Sequence, residues 1–190
     1  MTRLTRSMLA GILAVAAVGC TASRPPLAVV QKVDLRRFMG DWYVIANIPT
    51  RLVKDAHNAI ESYRLAPDGT IATTFTFRAG AFDGPPKKYT PHGYVLDHES
   101  NAVWGMQFVW PVQADYRIVY LASDYSQTVI AREARDYVWI MARTPQIAAD
   151  DYRRLLDLVA GLGYDVSRIR TVPQSWPAPA RAASNAGDGR

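Results

Sequence analysis

The segment that decides the fold is GDWYVIAN, Gly40–Asn47. Before it, Asp34 can cap a short helical turn that runs to Phe38, and Gly40 can end that turn. The residues that follow are mostly aromatic or aliphatic, and β-branched and aromatic side chains favour extended backbone. The pattern predicts a first β-strand with Trp42 near its start, as a large aromatic plug at the floor of a closed sheet.

The rest of the chain is predicted to form more strands, with one helix near the end. Segments with alternating or β-branched and aromatic residues occur at 42–48, 59–65, 71–77, 89–97, 102–109, 116–122, 128–132 and 137–143. A repeat of about ten residues with turn residues between strands is typical of a sandwich or an up-and-down barrel. Strands and helices do not alternate, so a βαβ fold is not expected.

A helix is predicted after the eighth strand. Thr144 can cap it and Pro145 suits its first position, while Gly161 and Gly163 can end it. Apolar side chains recur at helical spacing, namely Tyr152, Leu155, Val159 and Leu162. One amphipathic helix this late in the chain is expected to pack on the outside of the sheet, followed by a last strand over 164–172.

The first residues read as an export signal. Residues 1–6 carry two arginines and no acid, and residues 8–18 form an apolar run that is too short to span a membrane as a helix. Cys20, the single cysteine, follows closely and cannot form an internal disulfide. This segment resembles the lipobox of bacterial lipoproteins, although Ala17 stands where that pattern usually has leucine. The resemblance implies a lipidated Cys20; an ordinary signal peptide with an incidental cysteine is the alternative.

The lipoprotein resemblance also implies a location. Thr21, in place of aspartate, indicates delivery to the outer membrane, with the folded domain in the periplasm. Several acyl chains together give stable attachment. The expected organisation is a signal peptide over 1–19, a lipidated tether over 20–32, a folded domain over 33–174 and a disordered tail over 175–190.

Charge and composition exclude some classes of partner. The formal charge is +5, and removal of 1–19 with its two arginines leaves 20 basic and 17 acidic residues, or +3. The arginines are scattered and form no basic stripe, so nucleic acid is not an expected partner. Charged residues make up only 21% of the chain, which indicates a globular domain.

Three separated motifs occur in order along the predicted strands: Gly40-Asp41-Trp42, Ser123-Asp124-Tyr125 and Arg143. Together they resemble the conserved motifs of the lipocalins, and the segments Arg37–Tyr43 and Tyr137–Pro145 resemble the bacterial outer-membrane lipoprotein branch in particular. The one departure is serine at the position where the second motif has threonine, which keeps the hydroxyl. The resemblance covers 33–174 and implies an eight-stranded antiparallel barrel, closed at one end, with a cavity opening at the other and one helix packed outside.

The resemblance also implies structural roles for the motif residues. Arg143 is expected to stack on Trp42 and to bond carbonyls of the preceding turn at the closed end. Gly40 belongs to that turn, and Asp124 and Tyr125 are expected to fix another turn at the same end. These residues are therefore interpreted as scaffold and not as ligand contacts.

Side chains alternate between the two faces of a strand, so parity counted from Trp42 and Arg143 predicts the cavity wall. The predicted ligand-binding residues are Val44, Ala46, Glu61, Phe75, Trp104, Met106, Phe108, Tyr116, Ile118, Tyr120, Trp139 and Met141. The same parity places Ile48 and Tyr137 inside. Such a wall is apolar and aromatic, which suits an acyl chain whose polar end stays near the mouth. Aromatic side chains that fill the barrel and leave no cavity are the alternative.

Glu61 is the acidic residue that parity places inside. Near the mouth it could orient a headgroup, while the alternative is a solvated strand residue. A carboxyl deep in the cavity with a perturbed pKa could instead serve a lipocalin-fold enzyme acting on a lipid.

The predicted function is that of a membrane-anchored carrier for a fatty acid or a lysophospholipid, with no catalysis and no cofactor. An envelope interaction module or homodimer is a further alternative, with Trp110 as a candidate contact. His57, His92 and His98 lack metal-ligand spacing, so no metal site is expected.

Overall fold

The computed structural model describes residues 24–50 and 53–176. Within them, the helices are α1 (Leu35–Phe38), α2 (Ala149–Gly161) and a short 3-10 helix (Val166–Arg168). The strands in the same ranges are β1 (Gly40–Asn47), β2 (Ala56–Leu65), β3 (Ile71–Ala79), β4 (Pro86–Tyr89), β5 (His92–Val95), β6 (Val103–Val109), β7 (Val112–Leu121), β8 (Gln127–Ala131), β9 (Val138–Ala142) and β10 (Arg170–Thr171).

These strands form a closed barrel. Each pairs antiparallel with its neighbours, and β1 pairs with both β2 and β9, so the sheet closes on itself. β4 and β5 both pair with β3 and share one position in the barrel. Pro91, which has no N–H to donate, lies in the interruption between them. The barrel therefore has eight strand positions, with β10 as a short addition beside β1, and the predicted up-and-down barrel is confirmed.

Arg143 closes one end of this barrel. Its guanidinium donates to three carbonyl oxygens at the C-terminal end of α1, at 2.9–3.0 Å, and to the carbonyl of Asp41 at 2.8 Å. The guanidinium carbon lies 3.8 Å from the ring centroid of Trp42, which is fully buried. Gly40 has a φ of +93°, which glycine adopts readily. A planar cation with several donors suits this task, because helix ends leave carbonyls without partners.

The turn between β7 and β8 supports the same end. The Asp124 carboxylate accepts from the backbone N–H of Ser126 at 3.0 Å, and the Tyr125 hydroxyl accepts from the N–H of Asp34 at 2.9 Å. The guanidinium carbon of Arg37 lies 4.0 Å from the centre of the Tyr125 ring. These contacts fasten α1 to the barrel.

A β-bulge in β1 changes which of its side chains face the interior. Val44 lies opposite Met141 and Ala46 lies opposite Ile140, so Ile45 is one extra residue on β1. A bulge reverses the alternation beyond it. Ala46 consequently packs on the outer face beneath α2, which corrects the expectation that it faces the interior.

The same bulge also reverses the faces of two residues beyond it, Asn47 and Ile48. Asn47 lies opposite Trp139 and takes an inward position, whereas Ile48, which was expected to face inward, belongs to the outer core.

A second bulge, in β7, has the same effect. Ile118 lies opposite Ile130 and Tyr120 opposite Val129, so Val119 is the extra residue. The Tyr120 hydroxyl accepts from the Arg154 guanidinium of α2 at 2.9 Å. Tyr120 therefore faces the helix outside the barrel, which corrects its predicted place in the cavity wall.

Helix α2 packs on the outer face as expected, but it begins later. The Thr144 hydroxyl donates to the Gln146 carbonyl at 2.7 Å in a non-helical turn, and the helix follows extended Ala148. The expected cap at Thr144 is therefore wrong. Leu155 and Val159 are buried against the barrel within an outer core that also contains Leu27, Ala46, Ile48, Val129, Ala131, Val138, Ile140, Tyr164 and Ile169.

The described segment before α1 lies against the barrel. Leu27 is buried, the N–H of Val30 donates to the Ile118 carbonyl at 3.0 Å, and Arg135 donates to the Pro25 carbonyl at 2.6 Å. The part of the predicted tether within 24–32 is thus held by the domain. The predicted signal peptide and Cys20 lie outside the described residues.

The chain beyond α2 is mostly irregular. The predicted strand over 164–172 is reduced to a short 3-10 helix and β10. The backbone N–H of Ser175 donates to the side-chain oxygen of Asn58 at 2.7 Å, and the Trp176 ring lies edge-on to Tyr43 with centroids 5.6 Å apart. Ordered contacts therefore continue past the predicted boundary at 174. The rest of the predicted tail, 177–190, lies outside the described residues.

Candidate ligand-binding cavity

A cavity of about 370 Å³ lies inside the barrel and opens at the end away from Arg143. Its lining is mainly apolar and is formed by Thr50, Val53, Glu61, Phe75, Tyr89, Met106, Phe108, Ala114, Asp115, Tyr116, Arg132, Tyr137 and Trp139. Most of these side chains come from the inner face of the strands, because the sheet curves around them. The aromatic residues therefore line the interior without filling it.

Six predicted ligand-binding residues lie in this lining, namely Glu61, Phe75, Met106, Phe108, Tyr116 and Trp139. Val44, Trp104, Ile118 and Met141 are buried in the inner core and do not line the cavity. Ala46 and Tyr120 lie outside the barrel wall. The structure thus brings half of the predicted set together around one space.

Parity alone missed several lining residues. Ala114 and Asp115 belong to the part of β7 before the predicted start at 116, and Arg132 follows the end of β8. Val53 lies in the connection between β1 and β2, where alternation carries no information. Tyr89 is the last residue of β4, opposite Phe75, and its position follows once the two strands are paired.

The floor of the cavity is polar. Glu61 and Tyr116 line it, and Tyr63, which is outside the lining, is hydrogen-bonded to Tyr116; we call the three residues the glutamate–tyrosine cluster. The two tyrosine hydroxyls are 2.6 Å apart, and the Tyr63 ring contacts Phe38 of the closed end with centroids 5.6 Å apart. Glu61 is 8% exposed, so it is not a solvated strand residue.

Burial sets the protonation behaviour of this cluster. It raises the pKa of Glu61 from its ordinary value of 4.5 to about 7, and the nearby Tyr63 hydroxyl offsets only part of this effect. Burial and the neighbouring carboxyl also raise the pKa of Tyr63 and of Tyr116 well above 10.0. Both tyrosines are therefore neutral at physiological pH, while Glu61 exchanges a proton near neutrality.

Aromatic packing holds the floor in place. Tyr116 stacks on Trp104 with centroids 5.0 Å apart and an angle of 8° between the rings. Trp104 also meets the edges of Phe38 and Tyr63, with centroids 5.5 and 5.7 Å apart. Such offset and edge-on contacts favour fixed ring positions. The tyrosine hydroxyls are consequently oriented before any ligand enters.

The mouth carries charged groups of both signs. Asp115 already pairs with Arg117 at 3.0 Å and accepts from the backbone N–H of Glu133 at 2.7 Å. Arg132 pairs with Asp136 at 3.1 Å, but its Nε is buried and has no hydrogen-bond partner within the described ranges. Asp136 likewise keeps one buried carboxylate oxygen without a partner in those ranges, but it does not belong to the cavity lining, so within the lining the unused hydrogen-bonding capacity belongs to the Arg132 cation.

The hairpin between β6 and β7 presents apolar side chains to solvent beside the mouth. Phe108, Val109 and Val112 are exposed, and Trp110 is 82% exposed. Contiguous exposed apolar side chains are unusual on a soluble domain and often mark a contact surface. We call residues 108–112 the apolar hairpin.

Two other kinds of feature are absent from residues 24–50 and 53–176. No cluster of three or more metal-ligating side chains occurs there. No helix in the same ranges is long and apolar enough to cross a membrane.

A closed antiparallel barrel with an apolar interior and one open end defines the class of barrel proteins that enclose a small hydrophobic ligand. The family model described as a lipocalin-like domain matches residues 33–174, and this chain belongs to the lipocalin family.

Relatives over most of the chain agree with this assignment. The chain is 31% identical to temperature-induced lipocalin-1 of Arabidopsis thaliana over 165 residues, which cover 80% of this chain and 86% of that protein. It is 27% identical to outer membrane lipoprotein Blc of Escherichia coli (strain K12) over 177 residues, covering 90% and 98%. Insecticyanin from the tobacco hornworm Manduca sexta shares the fold, with a TM-score of 0.61 at 16% identity and coverage of 80% and 86%.

Proposed function

We propose that this lipocalin is a membrane-anchored carrier that holds one fatty acid or lysophospholipid in its barrel, for lipid storage or transport at the cell envelope. The acyl chain occupies the cavity and the polar end stays at the mouth. The observation that carries this proposal is the apolar cavity of about 370 Å³, open at one end of the barrel.

The size of the cavity favours a single chain. Ligand pockets in proteins commonly measure about 300–1,000 Å³, and this cavity lies near the lower end of that range. A lipid with two acyl chains would need substantially more apolar volume. A fatty acid or lysophospholipid, with one chain, fits better than a two-chain phospholipid.

The mouth favours an anionic polar end. Arg132 lines the cavity and its buried Nε has no partner among the described residues. A carboxylate or phosphate at this point would accept a charge-assisted hydrogen bond, which is stronger than a neutral one. Asp115 beside it is already bonded to Arg117 and to the backbone.

The location at the envelope rests on the sequence and on the relatives. The Blc proteins of Escherichia coli and Citrobacter freundii are named outer membrane lipoproteins. In this chain, Cys20 follows a signal-like segment, which supports lipidation and attachment to the outer membrane. We place the barrel on the periplasmic side. Cys20→Ala is expected to release the protein to the soluble periplasmic fraction, and continued membrane retention would contradict a lipid anchor at this residue.

The apolar hairpin supports a contact between the mouth and a second surface. A membrane is the favoured partner, because a lipid ligand must leave one membrane before it enters the cavity. A homodimer joined through Trp110 is the alternative, and sedimentation of the domain at increasing concentration separates the two.

Titration with fatty acid or lysophospholipid, followed by tryptophan emission, tests the carrier proposal. Trp139 lines the cavity and is expected to report a saturable change at one ligand per chain. Ala114→Trp should abolish binding because it fills the cavity, whereas Ala160→Trp on the exposed face of α2 should not. If the tryptophan emission of the native protein shows no saturable change, the carrier proposal is contradicted.

An enzyme that acts on a lipid is the second candidate. The observation that favours it is the cavity-lining carboxyl of Glu61 with a pKa raised to about 7, a value suited to general acid or base catalysis. Turnover of candidate lipids that disappears in Glu61→Gln would replace the carrier proposal. We expect bound lipid to be recovered unchanged.

A further inference from the structure

The carboxyl of Glu61 has more hydrogen-bonding capacity than its neighbours use. An ionised carboxylate offers about four lone-pair sites. Tyr63 is the neighbouring donor, and its hydroxyl is also bonded to Tyr116 at 2.6 Å. None of the ion pairs found within residues 24–50 and 53–176 includes Glu61. This carboxyl therefore faces the cavity with capacity to bond a ligand.

The strands beside Glu61 do not supply the missing donors. Trp42 on β1 and Phe75 on β3 lie directly opposite it. The Trp42 indole N–H donates to the Phe38 carbonyl at 2.9 Å, and the Trp104 indole N–H donates to a backbone carbonyl at 2.8 Å. Both indole donors are committed elsewhere, so a further donor to Glu61 has to come from the cavity, where a ligand binds.

The chemistry of the floor selects among ligand groups. A carboxylate would face a second carboxyl in a buried site, and like charges disfavour one another strongly there. A bare methyl group would leave the polar floor without partners, which costs free energy when it is buried. A hydroxyl both donates and accepts, so it suits Glu61 in either protonation state and the tyrosine hydroxyls as well.

We propose that the glutamate–tyrosine cluster recognises a hydroxyl group on the acyl chain, so that the cavity selects hydroxylated over unsubstituted chains. This inference rests on the proposed function, in which the acyl chain enters first and the polar end stays beside Arg132. It adds a second recognition point at the opposite end of the cavity from the mouth.

Matched acids test this selection. Omega-hydroxy acids from octanoic to hexadecanoic are titrated by calorimetry beside the parent acid of the same length and its alpha-hydroxy isomer. At the length whose terminal hydroxyl reaches Glu61, the omega-hydroxy acid is expected to bind about tenfold more tightly than its parent. The alpha-hydroxy isomer carries the same atoms but holds its hydroxyl at the mouth, so it should bind like the parent.

Variants identify the residues responsible. Glu61→Met replaces the buried carboxyl by an apolar side chain and keeps the two tyrosine hydroxyls, so it should fold and should lose most of the preference for the omega-hydroxy acid. Tyr116→Phe keeps the stacked ring and should reduce the gain from the hydroxyl. Tyr120→Phe, which removes a hydroxyl outside the barrel, is the matched control and should change nothing.

The outcomes separate this inference from the proposed function. If parent and omega-hydroxy acids bind saturably but equally at every length, the selection is overturned and the carrier function stands. An undiminished preference in Glu61→Met also overturns it. If the folded protein binds no acid of any length, the carrier function fails and the inference fails with it.

Discussion

Replacing Glu61 with glutamine is expected to stabilise the ligand-free protein above neutral pH. Burial raises the pKa of this carboxyl from 4.5 to about 7, so between these values the folded state keeps a proton that the unfolded chain has released. Stability therefore falls as the pH rises from 4.5 towards 7, and the full cost is present above 7. At about 1.4 kcal/mol per pH unit, the cost is about 3 kcal/mol.

Urea unfolding followed by tryptophan emission measures this cost. Between about pH 5 and about pH 8, the stability of the native protein should fall relative to that of Glu61→Gln, which cannot ionise. The groups facing Glu61 stay constant in this range, because Tyr63 and Tyr116 have raised pKa values and remain neutral. Glu99→Gln, at an exposed carboxyl, is the control, and its stability should change with pH in the same way as that of the native protein. If the stability of Glu61→Gln also changed with pH in the same way as that of the native protein, the Glu61 carboxyl would not be buried in the folded protein.

Three further predictions concern the closed end, the mouth and the apolar hairpin. Arg143→Ala should lower the free energy of unfolding by about 3–5 kcal/mol, because it removes bonds to four carbonyls and the contact with Trp42; a loss below about 1 kcal/mol in urea unfolding would contradict this role. Arg132→Gln should weaken fatty acid binding about tenfold and leave a fatty alcohol of equal length unaffected, as measured by calorimetry; equal losses for both would place the polar end elsewhere. Trp110→Ser should weaken binding of the unlipidated domain to lipid vesicles about tenfold without changing its affinity for soluble ligand; unchanged vesicle binding would point to a role of the hairpin between protein copies.

The fold followed from the sequence because its signals are local and repeated. Alternation within each strand and turn residues between strands placed the eight barrel positions within a few residues of their observed bounds. The beginning of α2 did not follow, because Thr144 and Pro145 have the residue types of a helix start but form a separate turn. Residue type alone does not distinguish the two structures.

The cavity-lining residues could be predicted only in part, because the alternation of side chains in the sequence does not reveal where a β-bulge lies. One extra residue at Ile45 and another at Val119 reversed the faces of Ala46 and Tyr120. Parity did place Glu61 inside, but its depth, and with it the raised pKa, depends on residues from other strands.

Native mass spectrometry of the protein incubated with an excess of mixed single-chain and two-chain lipids tests the central claim most directly. We expect one adduct per chain, with the mass of a single-chain fatty acid or lysophospholipid, and its loss in Ala114→Trp but not in Ala160→Trp. A folded protein that carries no lipid under these conditions, or a lipid retained in Ala114→Trp, would contradict a carrier function based on the barrel cavity.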